Sequence, residues 1–152
     1  MPEPSINIRS VSEEDLPEWL RLRRMLWDET DVTEHESEMF DILDFPDLQL
    51  VLVADVGDGK LAGFLEASIR PFVEDCHTDN VGYLEGWFVE PEYRRHGVGR
   101  ALVAAAENWA RAQGSTEMAS DTEVGNEAGL AAHEAMDYQV SSKLIHLRKD
   151  LN

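Results

Sequence analysis

Glycines and arginines occur together in one short stretch of the sequence, in a pattern that could bind an anion. The stretch Arg94-Arg95-His96-Gly97-Val98-Gly99-Arg100-Ala101 lies between an apolar segment and a run with helical periodicity. Because glycine has no Cβ, a ligand can approach the backbone closely at Gly97 and Gly99. The N–H groups at a helix start form an anion site that the helix dipole reinforces. The stretch therefore predicts a pyrophosphate-binding loop.

This loop differs from the two best-known phosphate-binding loops. It does not end in the Gly-Lys-Ser/Thr of a Walker A loop, and it lacks the G-x-G-x-x-G of dinucleotide-binding folds. A surface turn that carries arginines is the alternative interpretation. The order of strand, turn at Pro91, Arg-x-x-Gly-x-Gly and helix favours an anion site over that alternative.

Two carboxylates, Glu85 and Asp121, could act on a cation near this loop. Glu85 lies within the predicted strand Val81–Val89, and Asp121 ends the predicted strand Thr116–Asp121. A helix separates these strands, so they should run parallel, and ligands of such sheets bind at the carboxyl ends of the strands. Carboxylates there could bind a protonated amine and remove its proton, directly or through a water. The alternatives are a solvated or paired carboxylate for Glu85 and a helix cap for Asp121.

The elements that must position these residues follow from hydrophobic periodicity and from turn and cap signals. Strands are predicted near Ile6 and Ile8, and over Leu48–Asp55, Leu61–Arg70, Val81–Val89, Thr116–Asp121 and, as a final pair, within Tyr138–Lys149. Helices are predicted over about 13–27, from a capping box of Thr33 and Glu36 to Pro46, over Gly97–Gln113 and over Asn126–Met136. This order predicts an α/β (α+β) fold.

The charge of the chain narrows the choice of ligand. The formal net charge is −18, from 31 acidic and 13 basic residues, and nine of the acids lie between Asp28 and Asp47. Nucleic-acid binding needs a basic face, so no nucleic-acid partner is expected. A negative cleft would attract a small polycationic amine. The alternative is that the acidity only keeps the protein soluble.

Other features of the sequence bear on location and cofactors. Cys76 is the single cysteine, so no internal disulfide can form, and Met1–Pro4 lacks the basic and apolar regions of a signal peptide. No apolar run approaches the roughly 20 residues of a membrane span. The five histidines have no zinc-site spacing. We expect a cytoplasmic protein with neither a metal nor a membrane partner.

The loop and the element order together resemble the GNAT superfamily of N-acetyltransferases. The segment Arg94–Gly99 matches the Gln/Arg-x-x-Gly-x-Gly/Ala pyrophosphate loop of that superfamily. The resemblance implies a single GNAT domain over residues 1–152. It also implies a mixed, mostly antiparallel sheet, whose central parallel strand–helix–strand unit splays to bind acetyl-CoA.

The resemblance also implies which residues hold acetyl-CoA. They come from the strand before the loop, from the loop and from one later asparagine: Trp87, Phe88, Val89, Arg94, Arg95, His96, Gly97, Val98, Gly99, Arg100, Ala101 and Asn126. The later family motif, a helix ending in Tyr-x-x-x-Gly-Phe, is met only in part. His133 stands at the Tyr position, and Asp137-Tyr138 replaces Gly-Phe.

Four further stretches resemble the aminoglycoside 6′-N-acetyltransferases: Trp19–Trp27, Ala67–Arg70, Leu84–Val89 and Glu117–Thr122. This resemblance implies an acceptor pocket of Trp27, Glu85 and Asp121, and a homodimer by analogy. Phe72 lies where these enzymes often carry Tyr, so ring packing would remain there without a hydroxyl contact. His133 is a candidate to protonate the thiolate leaving group, and a structural histidine is its alternative.

Three functions remain open from the sequence alone. The first is acetyl transfer to the 6′-amine of aminoglycosides by direct attack. The second is transfer to a polyamine, a small-metabolite amine or a protein amine. The third is a non-catalytic coenzyme A-binding module, against which the intact pair Glu85 and Asp121 argues.

Overall fold

The computed structural model describes residues 5–152, which form two compact units that meet in the chain between Ser120 and Asp121. The prediction of a single domain stays a prediction. The prediction that no signal peptide is present rested on Met1–Pro4, which lies outside the described residues. Within residues 5–152, no helix is long and apolar enough to cross a membrane.

A five-stranded sheet forms the frame of the larger unit. Its strands lie in chain order: β1 Asn7–Ser10, β2 Gln49–Gly57, β3 Lys60–Arg70, β4 Val81–Val89 and β5 Met118–Ser120. The first four are antiparallel neighbours, whereas β5 runs parallel to β4. This confirms the predicted mixed, mostly antiparallel sheet. The β2–β3 hairpin closes through Asp58 and Gly59, whose φ angles of 56° and 74° are left-handed.

Residues 5–152 contain four α-helices: α1 Leu16–Leu26, α2 Val32–Leu43 and α3 Val98–Ala112 in the larger unit, and α4 Glu127–Glu134 in the smaller one. The predicted capping box of Thr33 and Glu36 is wrong. Asp31 is the N-cap of α2, and its Oδ1 accepts a hydrogen bond of 2.9 Å from the N–H of Glu34. Asp31 has the extended backbone that a cap requires, while Thr33 is already inside the helix.

The central strand of the sheet, β3, is also its most deeply buried strand. All nine residues from Leu61 to Ile69 of β3 are buried, so both faces of this central strand are covered. Trp19 of α1 and Met39 of α2 pack with Phe64 in one apolar cluster. The apolar stripe of α3, which includes Leu102, is buried as well. Burial of these side chains supplies the main driving force for folding.

The final pair of strands predicted within Tyr138–Lys149 is wrong. Residues 139–152 contain no strand, and their large apolar side chains are exposed: Val140, Leu144, Ile145, Leu147 and Leu151. A strand needs a neighbouring strand for its backbone N–H and C=O groups, and apolar spacing in the sequence does not supply that neighbour.

Candidate active site

The two parallel strands, β4 and β5, pair along only the first part of β4, because β5 is much shorter. Strand β5 pairs with β4 only as far as Leu84, which lies opposite Ser120. Strand β4 continues to Val89 and stays paired with β3 up to that residue. The second half of β4 therefore extends past the end of β5 and leads directly into the glycine-bearing loop.

The loop after β4 has an unusual backbone. A short 3₁₀ turn, Pro91–Tyr93, follows the strand, and Arg94 Nε donates a hydrogen bond of 2.8 Å to the carbonyl of Val89. The φ angles of Arg95 and Gly97 are 68° and 81°. Left-handed residues in such a turn make backbone N–H groups converge on a concave surface, which suits an anion.

The start of α3 adds further backbone N–H groups to this loop. The first turn of the helix is closed by the N–H of Ala101, which donates to the carbonyl of Gly97 at 3.0 Å. The amides of Val98 and Gly99 precede that bond, at the positive end of a helix of 15 residues. The indole of Trp87 lies against Gly99, where a Cβ would be only 3.2 Å from Cζ2. The side chains of Arg94, Arg95, His96 and Arg100 are exposed.

A β-bulge in β4 sets the direction of Glu85. Glu66 of β3 pairs with Gly86 and the next residue, Ala67, pairs with Leu84, so Glu85 is an extra residue without a cross-strand position. Bulges of this kind redirect side chains and are frequent next to active sites. Regular alternation would place Glu85 and Gly86 on opposite faces of the sheet. The bulge instead turns both toward the side that carries α1.

The carboxylate of Glu85 is held by three hydrogen bonds. Its Oε1 accepts from Ser68 Oγ at 2.7 Å and from Arg70 Nε at 2.8 Å, and its Oε2 accepts from Arg70 Nη2 at 2.7 Å. The Arg70 guanidinium is also stacked on the ring of Tyr83, with Cζ 3.5 Å from the ring centroid.

The indole of Trp27 covers the bulge beside Glu85. Trp27 is the C-cap of α1, and a Cβ on Gly86 would lie only 2.4 Å from its Cη2 atom. Phe64 contacts the indole edge-on at 6.1 Å between centroids, and the Arg23 guanidinium lies 4.8 Å above it. The structure therefore brings together Trp27 and Glu85, two of the residues predicted for the acceptor pocket.

A buried polar network supports the indole from behind. Trp19 Nε1 donates to Glu66 Oε2 at 2.9 Å, and Arg23 Nε forms an ion pair with the same oxygen at 3.0 Å. The buried His35 donates from Nε2 to the carbonyl of Trp27 at 3.2 Å and accepts from Arg23 through Nδ1. Burial raises the pKa of Glu66 to about 7, although Arg23 and Trp19 both oppose that rise.

Sequence analysis missed this network. Glu66 is the only charged residue between Leu61 and Ile69, and an acid within a strand that is otherwise apolar or small was the available signal. Arg23 gave no comparable signal, because arginines are common on helices. Phe72, predicted beside the acceptor, lies two residues beyond β3 and is 69% exposed.

The other predicted residues lie in the smaller unit. Asp121 is the first residue after β5 and its side chain is exposed. Asn126 caps α4, because its Oδ1 accepts from the N–H of Gly129 at 2.9 Å and its Nδ2 donates to Thr122 Oγ1 at 3.1 Å. Asn126 thus has a structural role within this unit, which leaves its predicted coenzyme contact a prediction.

His133 also has partners within the smaller unit. Its Nδ1 donates to the carbonyl of Gly129 at 2.7 Å, and its ring contacts Tyr138 edge-on at 5.9 Å between centroids. The bond through Nδ1 fixes the tautomer and leaves Nε2 as an acceptor in the neutral ring. Its predicted role as a proton donor would therefore require the imidazolium form.

Taken together, a strand that extends past its shorter parallel neighbour and a glycine-bearing loop at a helix start are the features expected of the acyl-coenzyme A site of N-acetyltransferases. Comparison with known families agrees. The model of the acetyltransferase (GNAT) family matches residues 19–138, so the chain belongs to this family.

Two aminoglycoside N(6′)-acetyltransferases are similar to this chain along nearly its whole length. An aminoglycoside N(6′)-acetyltransferase type 1 of Klebsiella aerogenes is 44% identical, over 95% of this chain and 96% of the relative. The protein of the same name from Acinetobacter baumannii is 37% identical, over 96% and 99%.

Solved structures show the same similarity. AAC(6′)-Iy, in complex with the bisubstrate analogue CoA-S-monomethyl-acetylneamine, matches with a TM-score of 0.90 at 34% identity, over 97% of this chain and 99% of that one. The 6′-N-acetyltransferase AAC(6′)-IG of Acinetobacter haemolyticus matches with a TM-score of 0.90 at 37% identity, over 96% and 99%.

Proposed function

We propose that this protein transfers an acetyl group from acetyl-CoA to the 6′-amine of aminoglycosides and so confers resistance to these antibiotics. The observation that carries the proposal is the 44% identity to an aminoglycoside N(6′)-acetyltransferase along almost the full length of both chains. The CoA-containing bisubstrate analogue of a structure that matches with a TM-score of 0.90 supports the same pair of substrates.

In this proposal the loop and the end of β4 hold the coenzyme. The amides from Arg95 to Arg100 bind the pyrophosphate, because they lie at the positive end of α3. The backbone of Trp87, Phe88 and Val89 binds the pantetheine arm along the part of β4 that extends past β5. Asn126 contributes from the smaller unit.

The acceptor lies against the bulge. Trp27 and Glu85 form one wall, and Asp121 contributes the second carboxylate. Phe72 packs against a sugar ring. The acids of α2 and its flanking turns, most of them exposed, raise the local concentration of a polycationic substrate.

The reaction is a direct transfer in a ternary complex. Asp121, Glu85 or a water held by them takes a proton from the 6′-ammonium, because only the neutral amine is a nucleophile. The amine nitrogen attacks the thioester carbon, and a backbone N–H near Val89 stabilises the oxyanion. The C–S bond then breaks, and the coenzyme A thiolate leaves and takes a proton, for which His133 is the candidate donor. The nitrogen loses its second proton to solvent.

Release of free thiol tests the proposal. The full chain is mixed with acetyl-CoA and, in separate reactions, kanamycin, tobramycin, spermine or a lysine peptide. We expect release with the aminoglycosides that carry a 6′-amine. Release only with spermine or the peptide would support another amine as substrate, and no release at all would support a coenzyme A-binding module.

We also propose a cytoplasmic homodimer. The lone Cys76 leaves the fold independent of an oxidising compartment. The exposed apolar side chains of residues 139–152 suit burial against a second copy of the chain. Light scattering of the full chain should give twice the 17.2 kDa of the monomer, and a monomeric mass at assay concentration would reject this part.

A further inference from the structure

We propose that Arg70 is a positioning residue, which fixes the Glu85 carboxylate so that Oε2 presents its remaining acceptor direction to the ammonium group of the acceptor. This inference rests on the proposed function. It concerns the side chain that holds Glu85, and no contact of Arg70 with the substrate is needed.

The count of hydrogen bonds at the carboxylate carries the inference. A carboxylate oxygen has about two acceptor directions. Oε1 of Glu85 uses both, for Ser68 Oγ and Arg70 Nε, whereas Oε2 uses one for Arg70 Nη2. A substrate cation that joins this arrangement without breaking it can therefore bind only at Oε2.

The Arg70 guanidinium is itself held in place. Two parallel N–H groups of Arg70 bind the two oxygens of the Glu85 carboxylate. This two-point contact restricts the orientation of the guanidinium plane and of the carboxylate plane together. The ring of Tyr83 lies under the guanidinium at 3.5 Å from its Cζ atom, and Tyr83 is buried at 6% exposure. The clamp is thus built on a side chain that belongs to the core.

The bulge explains why such a clamp is needed. Glu85 is the extra residue of β4, and no residue of β3 lies directly opposite it to restrict its side chain. A free glutamate on a strand would populate several rotamers. Arg70 and Ser68 reach Glu85 from the neighbouring strand and select one of them.

An ordinary surface ion pair is the competing explanation. Exposed ion pairs contribute little to stability, and the side chains of Arg70 and Glu85 are 42% and 30% exposed. Two geometric features distinguish Arg70 and Glu85 from an ordinary surface ion pair. They are the two-point contact with the carboxylate and the stacking of the guanidinium on the ring of Tyr83. A competing role in function, in which the substrate displaces Arg70 from Glu85, would require both features to be lost on binding.

Arg70→Gln and Arg70→Lys test the positioning role through steady-state kinetics of the full chain. We expect Arg70→Gln to raise KM for tobramycin about tenfold, with kcat and KM for acetyl-CoA changed less than about threefold. Arg70→Lys keeps the charge and loses the two-point contact, so it should restore only part of the loss. Arg111→Gln removes an exposed arginine on α3 and should change nothing.

A double-mutant cycle with Glu85→Gln shows whether Arg70 acts through Glu85. We expect that Arg70→Gln causes almost no further loss once Glu85 is Gln, because the two side chains then have no carboxylate to share. Additive losses would reject the inference. A lower KM for tobramycin in Arg70→Gln would also reject it and would show that Arg70 competes with the substrate.

Crystal structures of the wild type and Arg70→Gln separate this inference from the proposed function. Absence of turnover with every aminoglycoside in the wild type would reject the proposed function alone. The orientation of Glu85 is visible in either case. We expect one orientation in the wild type and several or a different one in Arg70→Gln. An unchanged Glu85 side chain in the variant would overturn the positioning role.

Discussion

The proposed function gives both Asp121 and Glu85 a role at the acceptor, and the surroundings of the two side chains differ. Glu85 is fixed by Ser68 and Arg70, whereas Asp121 stands at the exposed end of β5. A carboxylate held by three hydrogen bonds is suited to orient a cation. Asp121 is accordingly the side chain whose substitution should affect the proton-transfer step most.

Asp121→Asn should lower kcat about 100-fold, because the amide cannot accept the proton of the ammonium group, and general-base groups typically contribute at least this factor. Affinity for acetyl-CoA, measured by calorimetric titration, should stay within about twofold. Asp58→Asn, in the β2–β3 turn, is the matched control, since Asn tolerates its left-handed φ of 56°. Unchanged turnover in Asp121→Asn would remove Asp121 from the mechanism.

Gly97→Ala should weaken acetyl-CoA binding without a steric clash. The φ of Gly97 is 81° and no atom lies within 4 Å of a Cβ built there, so the cost is backbone strain of about 1 kcal/mol. Relaxation of that strain would move the amides of the loop, and we expect KM for acetyl-CoA to rise about five- to tenfold.

Gly57→Ala is the matched control for this loop variant. Its φ is 95° and its Cβ site is equally empty, but it lies at the end of β2. Its melting temperature should fall as that of Gly97→Ala does, with KM for acetyl-CoA unchanged. Equal changes in KM in both variants would mean that the loop geometry is not specific to coenzyme binding.

At the scale of elements, the bulge in β4 and the end of α1 form one unit through Gly86 and Trp27. Gly86→Ala places a Cβ 2.4 Å from Trp27 Cη2, so the indole must move. We expect KM for tobramycin to rise about tenfold, with KM for acetyl-CoA nearly constant. The same substitution in a Trp27→Ala background should cause little further loss, and a full loss there would show that Trp27 is not the side chain displaced.

The network that joins α1, α2 and β3 should make stability depend on pH. Glu66 has a folded-state pKa of about 7, above its ordinary value of 4.5, so the folded protein binds this proton more tightly than the unfolded chain. The resulting stabilisation is complete below about pH 4.5 and is lost as the pH rises through 7.

Denaturant unfolding of Glu66→Gln between pH 5 and 8 tests this dependence. The free energy of unfolding of the wild type, relative to the variant, should fall over this range by up to about 3 kcal/mol. Glu38→Gln is the control, because Glu38 binds the same Arg23 but its side chain is 54% exposed. A difference that stays constant with pH would contradict the raised pKa of Glu66.

Elements with strong local signals could be predicted from the sequence. Strand β4 has the predicted bounds Val81–Val89, because turn residues flank an apolar run, and α3 begins within one residue of the prediction at Gly97. The bulge at Glu85 could not be predicted. It depends on which residue of β3 lies opposite, and that register is a property of the folded sheet.

The residues of the candidate site were open to prediction in the same uneven way. The glycine loop is local in sequence, so its pattern singles out all of its residues together, and their roles stay predictions. Arg70 and Tyr83, by contrast, act through contacts between strands, and the buried Glu66 depends on α1 for its partners. Such contacts leave no spacing pattern along the chain. The final strand pair failed for the related reason that residues 139–152 have apolar side chains but no strand neighbour.

At the scale of the whole molecule, charge and composition agree with a polycationic substrate. The chain carries a formal net charge of −18, and the proposed function assigns the arginines of the loop to the phosphates of the coenzyme. In that proposal the donor and the acceptor meet surfaces of opposite sign. This separation allows each substrate to be attracted to its own part of the protein.

The position of the acetyl group on the product decides whether the protein is a 6′-N-acetyltransferase. Tobramycin and acetyl-CoA are incubated with the full chain, and the isolated product is analysed by mass spectrometry and two-dimensional NMR. We expect a monoacetylated product whose acetyl group is on the 6′-nitrogen, and about 100-fold less of it from Asp121→Asn at matched time and concentration in the linear phase of the reaction. Acetylation at another amine, or unmodified tobramycin from the wild type, would contradict it.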